Sequence, residues 1–390
     1  MSILYPVNEK LMLRKARDAR IIRMARAFAA RGQRMYLLVG KSAKKDVEIC
    51  KYYGVPPSAN LRILQVPILR GNGSIRITVN EVFLWSAFWK ARGIARKEPL
   101  AVLYFSVLEV ADFFLKRRKY FPQTKFIYEQ HELALYPENT NPSSGQLRED
   151  LLERRVLGGL DGVLTTTEAI RRVIAERFPN LPSITIPLGM EAPLQSPGLA
   201  GGKGERIKIA YIGQLYDAQG VEGLIRAMAF LPQVDVHIIG GTASEVEGLR
   251  KRAREERMEG RVFLHGFVEP GKVADLTCDM DIFVVPARNT PRMNYVAHIK
   301  IYEYMAARRP IVATRLKSVT EELEDGETGI LVEPDDPQAL AAGILRLIRN
   351  PELGRQIAER AYAQSAKYHW ENRADRILRF IDQVPKRSDQ

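Results

Sequence analysis

Short runs of β-branched and apolar residues alternate with longer stretches of helical period along most of the 390 residues. This alternation constrains the fold most: it predicts parallel sheets with helices on both faces. In the first half the strands fall at 35–39, 101–105, 125–128, 162–165 and 183–187, with a basic helix over 13–31 that ends at Gly32. In the second half they fall at 208–212, 235–240, 262–264, 282–285 and 311–313. Between the two series lies GMEAPLQSPGLAGGKGER, residues 189–206, rich in Gly and Pro and nearly devoid of core residues, which reads as a linker. Residues 1–190 and 207–368 are thus expected to form two Rossmann-like domains joined by 191–206. A last helical stretch over 369–384 begins the segment 369–390, expected to pack back on the first domain.

Composition adds bounds. With 46% hydrophobic and 27% charged residues the chain has the balance of a soluble globular protein. It contains no stretch near the roughly 20 apolar residues needed to cross a bilayer. The start MSILYPVNEK shows no pattern of a secretory leader, so a cytoplasmic location is expected. Cys50 and Cys278, the two cysteines, lie in different halves and read as reduced thiols. A net charge of +13 implies an anionic partner: nucleic acid, an acidic membrane face or a phosphorylated substrate. No nucleic-acid recognition motif is visible, so nucleic acid is not the expected partner.

Three glycine turns stand at strand ends in the second half. IKIAYIGQL runs into Gly213, with Gly220 opening the next helix; VDVHIIGG ends on Gly240 and Gly241; VFLHGFV places Gly266, Phe267 and Val268. Ligands of open α/β sheets bind beyond the carboxyl ends of strands, where such turns let a diphosphate approach backbone N–H groups, so the three are expected to face one crevice.

The following segment carries a strand ending in Pro286, a loop, then KIYEYMA, PIVA, GILV and an Asp/Pro-rich turn into a helix. In this order it resembles the C-terminal half of retaining GT-B glycosyltransferases of the group 1, family 4 type. With IAYIGQL, VFLHGFV and Trp370 the resemblance covers 205–380; YEQHEL, LDGVLTTTEAIRRVI and IPLGM extend it more loosely into the first half. The resemblance implies a GT-B fold, two doubly wound domains facing across a cleft. It also implies transfer of a hexosyl group from a nucleotide-diphosphate sugar, with retention and without metal or cofactor, to an acceptor such as a lipid-linked glycan. Closure about the linker would exclude water. Glu303 then matches the glutamate that takes the ribose hydroxyls, Lys300 a basic position at the diphosphate, and His131 the histidine beside the transferred sugar. Residues 317–320, with Ser318, Val319 and Thr320, would offer N–H groups at a helix N-terminus.

Two departures stand out. The cations that usually follow the strand glycine and precede the next glycine are Gln214 and Gln219, and the first acid of the family's glutamate pair is Tyr295. Arg288, Arg292 and His298 on one loop are the expected replacements for the lost charge. A catalytically silent scaffold and a nucleotide-sugar epimerase remain alternatives of the same architecture. In the first half, Arg14, Lys15, Arg17, Arg20, Arg23, Arg26 and Arg31, with residues 116–119 and the aromatics Trp85, Phe88 and Trp89, suit a peripheral protein on an anionic leaflet. The competing reading is a solvated charged face with both tryptophans in the core.

Overall fold

The computed structural model describes residues 1–9, 11, 16–42, 44–68, 80–191 and 206–387. Arg14, Lys15 and the linker residues 192–205 lie outside them. The chain separates into two compact units, Met1–Gly189 with Trp370–Gln390, and Met190–His369.

The first unit alternates β1 (Ser2–Val7), α1 (Ala16–Ala30), β2 (Arg34–Gly40), α2 (Asp46–Tyr52), β3 (Leu61–Val66), α3 (Asn80–Ala95), β4 (Val102–Phe105), α4 (Leu108–Leu115), β5 (Lys125–Gln130), α5 (Ser144–Gly159), β6 (Gly162–Thr165), α6 (Glu168–Arg177) and β7 (Ser183–Thr185). The second alternates β8 (Ile207–Ile212), α7 (Val221–Ala227), β9 (Val234–Ile239), α8 (Ala243–Glu255), β10 (Val262–Gly266), α9 (Pro270–Thr277), β11 (Ile282–Val285), α10 (Ile299–Ala306), β12 (Ile311–Thr314), β13 (Ile330–Val332), α11 (Pro337–Arg349) and α12 (Pro351–Ser365); α13 (Trp370–Gln383) returns to the first unit.

All strand pairs are parallel. The sheet orders are β3-β2-β1-β4-β5-β6-β7 and β10-β9-β8-β11-β12-β13. Each order reverses once, between β1 and β4 and between β8 and β11, and such a reversal opens a crevice at the carboxyl ends of the strands. These are two Rossmann-like sheets of the GT-B fold. Buried on both faces, β2, β4, β6, β11 and β12 are nearly continuous apolar runs.

Two strands escaped the sequence reading. β1 carries Pro6, which usually demotes a run to an edge. Here β1 pairs with β4 only through Ile3 and Leu4, so the missing N–H of Pro6 falls beyond that ladder. β3 is itself the edge strand and mixes Arg62 and Gln65 with apolar residues, which blurs its period.

Helix ends follow local chemistry. Ser143 and Thr242 close capping boxes on α5 and α8, and the Asp336 carboxylate accepts from the N–H groups of Gln338 and Ala339 at the start of α11. α13 buries Trp370, Ala374, Ile377, Leu378 and Ile381, one stripe at helical spacing, and packs on α1.

That packing corrects the basic helix. Its arginines are not a solvated face: Arg26 meets Glu371 at 3.0 Å, Arg31 grips Asp375 with two bonds at 2.7 and 2.9 Å, and Arg17 lies 3.3 Å from Glu9. The partners sit about 345 residues away in sequence for the first two pairs, outside the reach of any local pattern.

Candidate functional site

In the second unit the chain beyond β8 bends at Gly213, and Gly220 precedes α7. Gly220 has φ of 70°, and a Cβ there would stand 1.8 Å from the Pro286 carbonyl oxygen. Gly240 has φ of 121°, with its would-be Cβ 2.0 Å from the Gly213 oxygen, and its N–H donates to the Gly266 oxygen at 2.7 Å. Larger side chains cannot occupy either position. The turns after β8, β9 and β10 are therefore in direct backbone contact, at one end of the sheet beside its reversal.

Beneath the first turn lies Lys300. Helix α10 is anchored by Tyr304, whose hydroxyl accepts from Ile212 N–H at 2.8 Å and whose ring stacks on Phe283 at 4.4 Å. This docking carries the Lys300 ammonium into the interior, 3.1 Å from where a Cβ of Gly213 would be. It donates to the Tyr211 hydroxyl at 2.9 Å and to the Gln219 side-chain oxygen. No carboxylate lies within ion-pair distance of it among the described residues. Burial pushes its pKa down to about 7, with Glu303 pulling the other way.

Gln219 is thus not a ligand-facing replacement for a cation. Its side chain is buried, accepts from Lys300 and Tyr211, and donates to the Tyr216 hydroxyl at 2.5 Å. A lysine in its place would set two ammonium groups against each other in one buried site. Gln214 is exposed.

The loop after β11 divides the expected replacements. Arg292 is half-buried and donates to Tyr216 at 3.1 Å, so Tyr216 links it to the Gln219–Lys300 group. Arg288 stands in a different group, pairing with Asp217 at 2.5 Å and Asp335 at 3.0 Å. It lines a cavity of 330 Å³ together with Asp217, Glu222, Glu333, Asp335 and Asp336. Five carboxylates oppose a diphosphate, so size alone does not make that cavity the donor site. His298 supplies no charge: it is buried, its Nε2 lies 3.1 Å from the Met293 oxygen, and burial, then Lys300, push its pKa down to about 4.

Glu303 projects from α10 on the exposed side. Phe267 is 53% exposed just past Gly266, with Val268 half-buried beside it, and Gly241 packs against Leu215. Residues 317–322 depart from expectation. They form turns rather than a helix start, and the N–H groups of Val319 and Thr320 both donate to the Leu316 oxygen. Ser318 is buried, its hydroxyl donating to the Met293 oxygen at 2.9 Å, and Lys317 N–H is taken by Asn294.

In the first unit His131 follows β5. Arginine only donates, so the 3.3 Å contact from Arg20 to Nδ1 makes Nδ1 the acceptor and leaves the proton on Nε2, which faces Glu129 at 3.3 Å. Burial, then Arg20, hold its pKa well below the ordinary value, so the ring is neutral. Glu129 itself accepts from Tyr104 and from Arg373 of α13 at 2.7 Å. Burial alone would raise its pKa, but Arg373 and its neighbours outweigh that and hold it at about 2. The sequence reading missed this ion pair. A charged residue inside the apolar run KFIYEQ of a parallel strand was the available signal.

The family signature described as glycosyl transferases group 1 matches residues 206–350, the part that holds the glycine turns and Lys300. That match places the second unit's sequence among those similar to the group 1 glycosyltransferases. The chain is 26% identical over 266 residues to the D-inositol 3-phosphate glycosyltransferase of Acidothermus cellulolyticus, covering 63% of this chain and 58% of that one. It is 29% identical over 180 residues to the alpha-D-kanosaminyltransferase of Streptomyces kanamyceticus, covering 45% of each. The chain thus spans about half the length of these relatives. Among solved structures it is similar to the Anabaena protein Alr3699/HepE in complex with UDP, with a TM-score of 0.74, 18% identity, and coverage of 98% of this chain and 100% of that one. The chain shares the fold of that structure at low identity.

Proposed function

We propose that the protein transfers a hexosyl group from a nucleotide-diphosphate sugar to a carbohydrate or lipid-linked acceptor, with retention at the anomeric carbon and without a metal. The observation that carries this reading is Lys300, a buried ammonium with no carboxylate partner, set against the Gly213 turn at the reversal of the second sheet. A cation held this way lacks a counter-charge, and a diphosphate resting on the glycine turn would supply one. As the glycosidic bond breaks, negative charge grows on the leaving diphosphate, where Lys300 and Arg292 would stabilise it. Glu303, with two acceptor oxygens, suits a vicinal diol of the ribose, and the exposed ring of Phe267 suits the base. Relatives bearing glycosyltransferase names and a structural neighbour bound to UDP support the same donor class.

The test is a panel of UDP-, GDP-, ADP- and dTDP-sugars scored by thermal shift, since a ligand of the folded state raises its apparent stability. One sugar should stand out, Glu303→Ala should abolish its shift, and NMR of the transferred product should show the donor's anomeric configuration. No shift with any sugar would overturn the proposal. A silent scaffold is the second reading, favoured by the uncharged Gln214; binding without turnover of any acceptor would select it.

A further inference from the structure

We propose that the aromatic and cationic face of α3, α4 and the turn after α4 is a docking surface for an anionic lipid bilayer. Trp85, Trp89 and Arg92 of α3 and Arg96 just past its end recur at i, i+4, i+7 and i+11, while Phe83, Leu84, Ala87, Phe88 and Ala91 form the buried side. Trp85 is 43% and Trp89 58% exposed, which removes the reading that places them in the core. Neither is loose. Trp85 stands edge-on to Phe113 with ring centres 5.3 Å apart, Trp89 packs edge-on to Phe88 at 5.3 Å, and Tyr120, also exposed, meets Phe88 at 5.4 Å.

Cations sit on this aromatic shelf. Arg117 lies 4.4 Å over Trp85 and 3.6 Å over Phe113; Arg92 lies 4.6 Å over Tyr120, and Lys119 5.5 Å from the same ring. Lys90, Arg92, Arg96, Arg117 and Lys119 have no carboxylate ion-pair partner among the described residues. The nearby Asp112 is neutralised by Lys116 and Arg155, at 2.7 and 2.6 Å, leaving Glu81 and Glu109 as the exposed acids of these two helices. The face therefore presents net positive charge around held indoles. This is the pattern of side chains that settle at the level of lipid headgroups, with the rings just below and the cations among the phosphates. Arg26 of α1 and Arg31 just past its end, by contrast, already pair with Glu371 and Asp375. No described helix is long and apolar enough to cross a bilayer, so the contact would lie on the surface.

The test uses the full chain and vesicles of phosphatidylcholine with roughly one-third phosphatidylglycerol, against pure phosphatidylcholine. The chain should sediment with the anionic vesicles and be released by salt. Trp370, the third tryptophan, is buried, so quenching by brominated lipid reports on Trp85 and Trp89 in the unaltered protein. Trp85→Ser with Trp89→Ser should lower partitioning more than about tenfold. Arg92→Glu with Lys119→Glu should lower it at least as much, since each cation near such a surface is worth about fivefold. Arg26→Gln should leave it unchanged. Equal binding to neutral vesicles, no quenching in the unaltered protein, folded variants that bind as it does, or binding of an oligonucleotide in place of vesicles would overturn the proposal. None of these measurements involves a sugar donor, so they stand or fall apart from glycosyl transfer.

Discussion

Two buried cations, one from each unit, are treated in opposite ways. Arg373 in the first unit is 2% exposed and meets a carboxylate 3% exposed, Glu129, while its Nε donates to the Pro187 oxygen. Lys300 in the second is 8% exposed and has only a hydroxyl and an amide. The first charge is closed off by the protein and holds α13 to β5. The second is left electrostatically open, and its pKa falls to about 7 in consequence. A buried ion satisfied from within is a structural element; one left without a counter-charge marks a place for a ligand.

The largest effect should come from breaking the closed pair. Arg373→Met leaves the Glu129 carboxylate buried without its ion-pair partner, and should destabilise the first unit by about 3–5 kcal/mol. Adding Glu129→Gln should recover much of that loss. All three tryptophans lie in this unit, so denaturation followed by tryptophan fluorescence reads it selectively.

Lys300→Met should do the reverse. The fold keeps its stability or gains some, because an uncompensated buried charge is removed, whereas binding of the nucleotide sugar picked out by the thermal-shift panel, measured by calorimetry, should weaken by about 1.5–3 kcal/mol, roughly ten- to a hundredfold. Loss of fold in this variant, with affinity retained, would erase the contrast between the units.

Proton linkage sharpens it further. Below pH about 7 Lys300 is charged in folded and unfolded chains alike, and the burial penalty is complete. As pH climbs from about 7 toward the ordinary lysine value of 10.5, the folded state gives up its proton first, the penalty is relieved, and this residue's contribution to stability rises. An anion bound beside it restores the charge, so binding of the proposed donor should take up a proton near neutrality and weaken by up to about tenfold per pH unit above 7. Calorimetry in buffers of different ionisation enthalpy counts that proton.

Arg288→Gln should have the smallest effect. Its partners Asp217 and Asp335 already neutralise it at the surface, and such pairs contribute about 0–1 kcal/mol. Affinity for the proposed donor in this variant should stay within about threefold. A loss as large as that of Lys300→Met would return Arg288 to the site.

What could be read from the sequence follows the range of the interactions. Alternation located five of the six strands of the second sheet, because buried parallel strands are apolar runs, and β13 lies within the GILV run that the resemblance singled out. KIYEYMA pointed to Lys300 and Glu303, yet its spacing could not say that the lysine turns inward, since Tyr211 and Gln219 lie 89 and 81 residues away. Gln219 looked like a lost phosphate contact for the same reason. The pairing of Arg26 and Arg31 could not be read because the acids that meet them are on α13. Trp85 and Trp89 were correctly grouped with cations, but helical period alone does not tell which side of α3 meets the core.

The return of α13 also sets an order of events during synthesis. Residues Met190–His369 form a unit of their own between the two pieces of the first, so Glu129 is made long before the arginine that neutralises it. Until residue 373 leaves the ribosome, β5 carries a carboxylate that the nascent core cannot bury cheaply, and the first sheet waits while the second unit, complete in its own segment, can close. A chain that stops short of α13 would keep a finished second unit attached to a first unit that lacks the partner of Glu129.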